Sequence, residues 1–156
     1  MKKNMQFHAC WLLITGASSG LGLEMARQLA THHHANLILV ARRQPQLLAL
    51  KAELEHSAGV HCHIIAADLS KATEVDRVYR EAVEVGAIYG VILNAGVTYF
   101  GDQRALAMDD FDRMLALNVS SVVRLLTLFS TYPALKQQGG GMMVISSMAG
   151  LLPVPY

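Results

Sequence analysis

Charge is scarce in this chain. Only 16% of its 156 residues are Asp, Glu, Lys or Arg, and they nearly cancel to a net charge of +1. So flat a balance carries no electrostatic argument for nucleic acid or a membrane surface as partner. Cysteine is scarcer still. Cys10 and Cys62 are the whole complement, which excludes a disulfide framework and suits a reducing compartment. Long apolar runs are also missing. Near the start, the apolar core is only Trp11 to Ile14 before Thr15-Gly16, too short for the h-region of a signal peptide. No contiguous run approaches the ~18 apolar residues of a membrane span. The chain is therefore expected in the cytosol.

What is abundant is hydrophobicity, at 53% of residues. More of such a chain must be buried than in a polar helical bundle, and strands covered on both faces meet that need. The length suits one domain with a sizeable core. Strand-like and helix-like segments alternate. Apolar runs at 11–15, 36–41, 60–67, 90–96 and 139–147 read as strands. Helical periods cover 21–33, 45–57, 71–86 and 109–132. Pro45 stands where a helix start tolerates it, Gly86 closes the third helix, and Asp109 is a candidate cap of the fourth. Pro133 disturbs or ends that long helix. A βαβαβαβαβ order predicts an α/β fold: a Rossmann-like, doubly wound parallel sheet with helices on both faces, stopping after the fifth strand.

TGASSGLG (15–22) joins the first strand to the first helix. Gly16 permits a tight turn, Gly20 lets the backbone approach a pyrophosphate, and Gly22 lets the helix pack close to the sheet. The helix start then offers free N–H groups and a positive dipole end. The position after the first strand of a βαβ series is the context that such a motif requires. At the end of the second strand, an acidic residue selects NAD and an arginine accommodates the 2′-phosphate of NADP. Ala41, Arg42 and Arg43 fill that place, with no carboxylate to repel a phosphate. A guanidinium binds phosphate bidentately. NADP(H) is the expected cofactor, with Arg42 the better candidate of the pair.

These residues resemble the short-chain dehydrogenases/reductases, and the resemblance spans essentially the whole chain. TGASSGLG resembles that family's TGxxxGxG loop, in which Ser18, Ser19 and Leu21 fill the variable places. Asp68-Leu69 resembles the pair that meets the adenine amino group. Asn94-Ala95-Gly96 resembles its NAG motif, with Leu93 standing where a first Asn is common. Asn118 resembles the active-site Asn of the long helix, and Ser147 the catalytic serine. Strand alternation sends Ser146 and Ser147 to opposite sides, and the family pattern selects Ser147. The resemblance implies hydride transfer between a nicotinamide and a carbonyl or alcohol. It further implies a serine holding the substrate oxygen, a tyrosine moving the proton, a lysine lowering that tyrosine's pKa and an Asn holding a water that leads to the lysine.

The family's Tyr-xxx-Lys pair lies on a helix a little over a dozen residues past the serine. Tyr156 is only 9 residues past Ser147 (156 − 147), between prolines that favour an extended loop, and no lysine follows it. It reads as a loop residue near the substrate pocket. The expectation is an N-terminal portion of a longer enzyme, inactive alone, with a further long helix and two further strands beyond it. Without them the fifth strand is an exposed edge. The full-length product is expected to be a homodimer or homotetramer acting on a small carbonyl or alcohol. The visible pocket edge, Val97 to Phe100 and Leu151 to Tyr156, is apolar.

Two rivals stand beside this reading: a catalytically silent dinucleotide-binding regulatory module, and an NAD-linked or isomerase member of the fold. A metal site is not expected. His61 and His63 point to one face around Cys62 with no third ligand nearby, and His32, His33 and His34 are consecutive at a helix end.

Overall fold

The computed structural model describes residues 7–147. Five strands form one sheet: β1 (Trp11–Thr15), β2 (Asn36–Ala41), β3 (Cys62–Ala66), β4 (Ile88–Leu93) and β5 (Gly141–Val144). Their order is β3-β2-β1-β4-β5, and every neighbouring pair is parallel. The connections are α1 (Gly20–His33), α2 (Gln44–Ala58), α3 (Ala72–Val85), α4 (Met108–Leu115), α5 (Ser121–Ser130) and the short α6 (Pro133–Gln137).

Period-two alternation divides the core between the two faces. Leu12 and Ile14 of β1, with Leu37 and Leu39 of β2, pack on Ala26 and Ala30 of α1 and on Leu47, Leu50 and Leu54 of α2. Leu13, Ile38 and Val91 face the other way, onto Val75, Val78 and Ala82 of α3 and Leu125 and Phe129 of α5. Both faces are covered, so the central strands are apolar throughout rather than alternating.

The long fourth helix is not continuous. Between α4 and α5, residues Ala116–Ser120 form a π turn, and α5 ends at Ser130. Pro133 does not break a helix but opens α6 at its first turn, where its missing N–H costs nothing. Asp109 is not the cap expected of it. Ala107 occupies that place without a side-chain bond, and Asp109 and Asp110 sit in the first turn, where their charge suits the helix dipole. The third strand, Cys62–Ala66, is shorter than its apolar run, although the His61 carbonyl and the Ala67 N–H at its two ends still bond β2. Gly86 does end α3, but in an extended conformation. What requires glycine is Trp11, whose Cδ1 would lie 2.8 Å from a Cβ there.

Met108–Ser130, taken as one helix of 23 residues with a mean hydropathy of 1.2, is long and apolar enough by length and composition to cross a membrane. Counting contiguous apolar residues misses it, because Asp, Arg, Asn and Ser interrupt the stripe. Here its Leu117, Leu125 and Phe129 are part of the core.

The two edges of the sheet differ. Leu37 N–H bonds the His61 carbonyl and Ala67 N–H bonds the Ala41 carbonyl, so residues 62, 64 and 66 of β3 turn their polar groups outward. Charged side chains meet them. Cys62 N–H donates to Glu55 at 3.0 Å, Lys51 Nζ donates to the Cys62 carbonyl at 2.6 Å, and Arg77 Nη2 donates to the Ala66 carbonyl at 2.7 Å. Burial pushes the Cys62 thiol up to about 12, aided by the charge of Glu55. At the other edge, β5 pairs only with β4 among the described residues. Met142, Met143 and Val144 there are 37%, 46% and 45% exposed.

Candidate active site

Strands β1 and β4 are neighbours, but their following connections run to opposite sides of the sheet. Open α/β sheets bind ligands at such a switch point, beyond the carboxyl ends of the strands. A cavity of about 480 Å³ lies there, lined by Gly16, Ser18, Ser19, Leu21, Ala41, Arg42, Arg43, Ala67, Leu69, Asn94, Ala95, Gly96, Val97 and Leu117. These come from the ends of four strands and from the π turn. A larger groove, about 720 Å³, runs between α3 and α5, with Asp76, Val123 and Arg124 in its wall. It opens on helix flanks rather than on strand ends.

Backbone geometry explains the glycines. Gly16 has φ +72°, and a Cβ on it would lie 2.9 Å from both the Ala95 Cα and the Asn94 Nδ2. A Cβ on Gly22 would lie 2.5 Å from Asn94 Nδ2 and would also strike the Gly16 carbonyl. Any side chain at either place would push the first turn of α1 away from β4. Gly20 is needed for its φ of +57° alone, since a Cβ there would meet no protein atom within 4 Å.

Ser19 caps α1 in an extended conformation but makes no side-chain bond to the helix. The first N–H groups of α1 therefore have no side-chain acceptor, the arrangement that binds phosphate oxygens. With glycines where a Cβ would close the loop, these donors fit the pyrophosphate of a dinucleotide. A nicotinamide dinucleotide, when bound, supplies or accepts the hydride.

Thr15 holds the cavity floor together, and sequence reasoning passed over it. It is 2% exposed, and its hydroxyl oxygen accepts from Asn94 N–H at 2.9 Å and Ala95 N–H at 3.0 Å. Asn94 Nδ2 returns a bond to the Thr15 carbonyl at 3.1 Å. The signal was present as the first residue of TGASSGLG, but its partners lie 79 and 80 residues away.

The two arginines divide. Arg43, the second choice in sequence, donates through Nη2 to Ser18 Oγ at 3.0 Å and Ser19 Oγ at 2.7 Å. Arg42 lies toward Asp68. Partial burial works to raise the Asp68 carboxyl. Two hydrogen bonds from Ser70, together with the charges of Arg42 and Arg113, outweigh that and hold it below the usual carboxylate range. Asp68 itself accepts from Ser70 N–H and Oγ at 3.1 and 2.8 Å, a turn that precedes α3. Leu69 lines the cavity; Asp68, Gly20 and Gly22 do not.

Asn118 sits in the π turn beside the cavity. Its Oδ1 accepts from Val97 N–H at 2.9 Å, and its Nδ2 donates to the Val97 carbonyl at 2.7 Å. Both ends of the carboxamide thus clamp one residue of the loop after β4. One N–H of Nδ2 and one lone pair of Oδ1 remain beyond these two bonds. Ser147 lies past the end of β5 and outside the cavity lining. Ile145 N–H still bonds the Leu93 carbonyl just past the end of β5 at Val144, and Ser146 and Ser147 are both exposed. Tyr156 and the stretch from Leu151 lie outside the described residues. Val97 lines the cavity, and Val97, Tyr99 and Phe100 are 36%, 38% and 75% exposed in the loop after β4.

A family model described as short chain dehydrogenase matches residues 10–156. The chain belongs to the short-chain dehydrogenase family. A hydroxysteroid 11-beta-dehydrogenase 1-like protein of Gallus gallus is 32% identical, covering 97% of this chain and 52% of its own length. An alcohol dehydrogenase from the archaeon Thermococcus sibiricus, complexed with 5-hydroxy-NADP, superposes with a TM-score of 0.86 at 33% identity, over 94% of this chain and 62% of its own. A short-chain dehydrogenase from Sphingobium yanoikuyae in complex with NADPH superposes at 0.83 with 32% identity, over 92% of this chain and 56% of its own. The chain spans about half the length of the curated relatives it matches. Both superpositions agree with the parallel, doubly wound sheet.

Proposed function

We propose that this chain binds NADP(H) in the cavity at the β1/β4 switch point, as part of an oxidoreductase that moves a hydride between the nicotinamide and a carbonyl or alcohol. The observation that carries the reading is the pairing of an uncapped helix start with two guanidiniums at the end of β2, where no carboxylate stands. The N–H groups of α1 and the Ser18–Ser19 turn hold the pyrophosphate. Arg43, already bonded to both serines, and Arg42 beside it take the 2′-phosphate through charge-assisted bonds. Asp68 and Leu69 border the adenine, and Asn94 to Gly96 form the wall along the nucleotide. Asn118 fixes the loop on the nicotinamide side through Val97. Ser147 is assigned to the substrate oxygen. The NADP and NADPH complexes of the two structural relatives support the cofactor class.

Parallel fluorescence titrations with NADPH and NADH, on the parent and on Arg42→Asp and Arg43→Asp, test the assignment. NADPH should bind the parent more tightly than NADH. Each substitution should weaken NADPH by about 10- to 150-fold, the equivalent of about 1.5–3 kcal/mol for a lost charged hydrogen bond, and leave NADH nearly unchanged. Equal NADPH and NADH affinities in the parent would assign an NAD-linked member instead. Tight NADPH binding with no turnover of any ketone by the full-length product would favour the regulatory module.

A further inference from the structure

Among the described residues, only Thr15 and Ser121 are polar side chains in the buried class. Thr15 is explained by the cavity floor. Ser121 is 3% exposed and opens α5, immediately after the π turn. In an α-helix its N–H would bond the carbonyl four residues back, that of Leu117. Here the Ser121 N–H bonds Ala116 instead, five residues back. The Leu117 carbonyl is met by the Ser121 hydroxyl, at 2.6 Å and buried. The side chain thus supplies the bond that the π register withdraws from the backbone.

The π turn matters because of what it carries. Asn118 lies in its middle and clamps both polar groups of Val97, while Leu117 and Val97 line the cavity. An extra residue in a helical turn rotates the following side chains and leaves a carbonyl short of a donor. Buried without a partner, such a carbonyl costs on the order of what a lost hydrogen bond costs, and the turn would relax away from this register.

We propose that Ser121 is a positioning residue: its hydroxyl, bonded to the Leu117 carbonyl, holds the π register in which Asn118 clamps Val97 at the wall of the cofactor cavity. Ser121 touches neither cavity nor substrate and acts through Asn118. The functional consequence rests on the dinucleotide reading given above; the structural claim is independent of it.

Amide hydrogen exchange at Val97 in the folded chain reads the clamp directly, without cofactor. Ser121→Ala should lower the protection of the Val97 amide by about ten-fold, the loss expected for one hydrogen bond. Asn118→Ala should lower it as much, and the double variant should lose no more than either single one, the signature of residues acting in series. Ser121→Thr keeps a hydroxyl that can bond the same carbonyl and should restore protection. A folded Ser121→Ala variant with Val97 protected as in the parent would overturn the proposal. Should that variant not fold, the parent decides: its Ser121 hydroxyl proton should exchange slowly, and a hydroxyl in fast exchange with water would overturn it. NADPH titration of the same variants separates the two readings. Loss of Val97 protection in Ser121→Ala, together with a parent that binds no dinucleotide, would keep the positioning role and remove the cofactor assignment.

Discussion

The two edges of the sheet are finished in opposite ways. At β3, the outward backbone groups of Cys62 and Ala66 are taken up by Lys51, Glu55 and Arg77 from the flanking helices. At β5, three apolar side chains are exposed and no described strand lies beyond. Edge strands that stay edges carry charge or cover, since a bare ladder is a template for another strand. The difference teaches which edge is built to face water. The β3 edge is closed by local side chains, whereas β5 keeps the character of an interior strand: short, apolar and fit to be covered.

The largest effect is expected where the closing side chain is also paired with two carboxylates. Arg77 bonds the Ala66 carbonyl and also pairs with Glu74 at 2.8 Å and Glu81 at 3.0 Å. Arg77→Ala should lower stability by about 1 kcal/mol, a charged hydrogen bond discounted for solvent screening. The urea midpoint measures this, and an unchanged midpoint would mean that strand pairing alone secures β3. A smaller effect on stability, within about 0.5 kcal/mol, is expected from Met143→Lys on β5, a surface change. Its effect should appear in association instead: sedimentation should show less self-association than in the parent. Equal association would mean that β5 is not the sticky edge.

The smallest effect is a pH effect. The Glu55 carboxyl lies below its ordinary 4.5, chiefly because it accepts the Cys62 N–H, with Lys51 adding to the shift against some desolvation. A lowered folded pKa contributes stability that is complete above the unfolded value and is lost as pH falls through the folded one. Cys62 amide protection should therefore hold at pH 6 and decline, by a few-fold at most, as acid is added below about 4.5. Glu55→Gln should remove that pH dependence, and a profile unchanged by it would assign the decline to another carboxylate.

Much of the fold was legible because its signals are local. The strands Trp11–Thr15 and Asn36–Ala41 fall where the apolar runs do, the first ending at Gly16 and the second at the Arg42-Arg43 pair. Gly16, Gly20 and Gly22 were legible for the same reason, since a tight turn writes its requirement into a few adjacent residues. What escaped depends on partners far along the chain. The helix over 109–132 widens to a π turn at Ala116–Ser120, where Asn118 meets Val97, 21 residues away. Thr15 was overlooked because its partners lie on another strand. Arg42 and Arg43 are adjacent in sequence, yet one lies toward Asp68 and the other bonds the serines of the loop, a divergence that adjacency does not show. The cap expected at Asp109 differs by two residues: Ala107 takes that place without a side-chain bond, and Asp109 falls in the first turn, where its charge still suits the helix dipole.

Thr15 also has a mechanical consequence. The sheet's two halves part between β1 and β4, the natural seam along which they could swing. A buried hydroxyl bonded to two successive N–H groups across that seam acts as a rivet. Any breathing that widened the mouth by splaying the strands would have to break both bonds at once, at a side chain that is 2% exposed. The loop after β4 is held by contrast at a single residue, Val97, through the Asn118 carboxamide, while Thr98 to Phe100 beyond it are exposed.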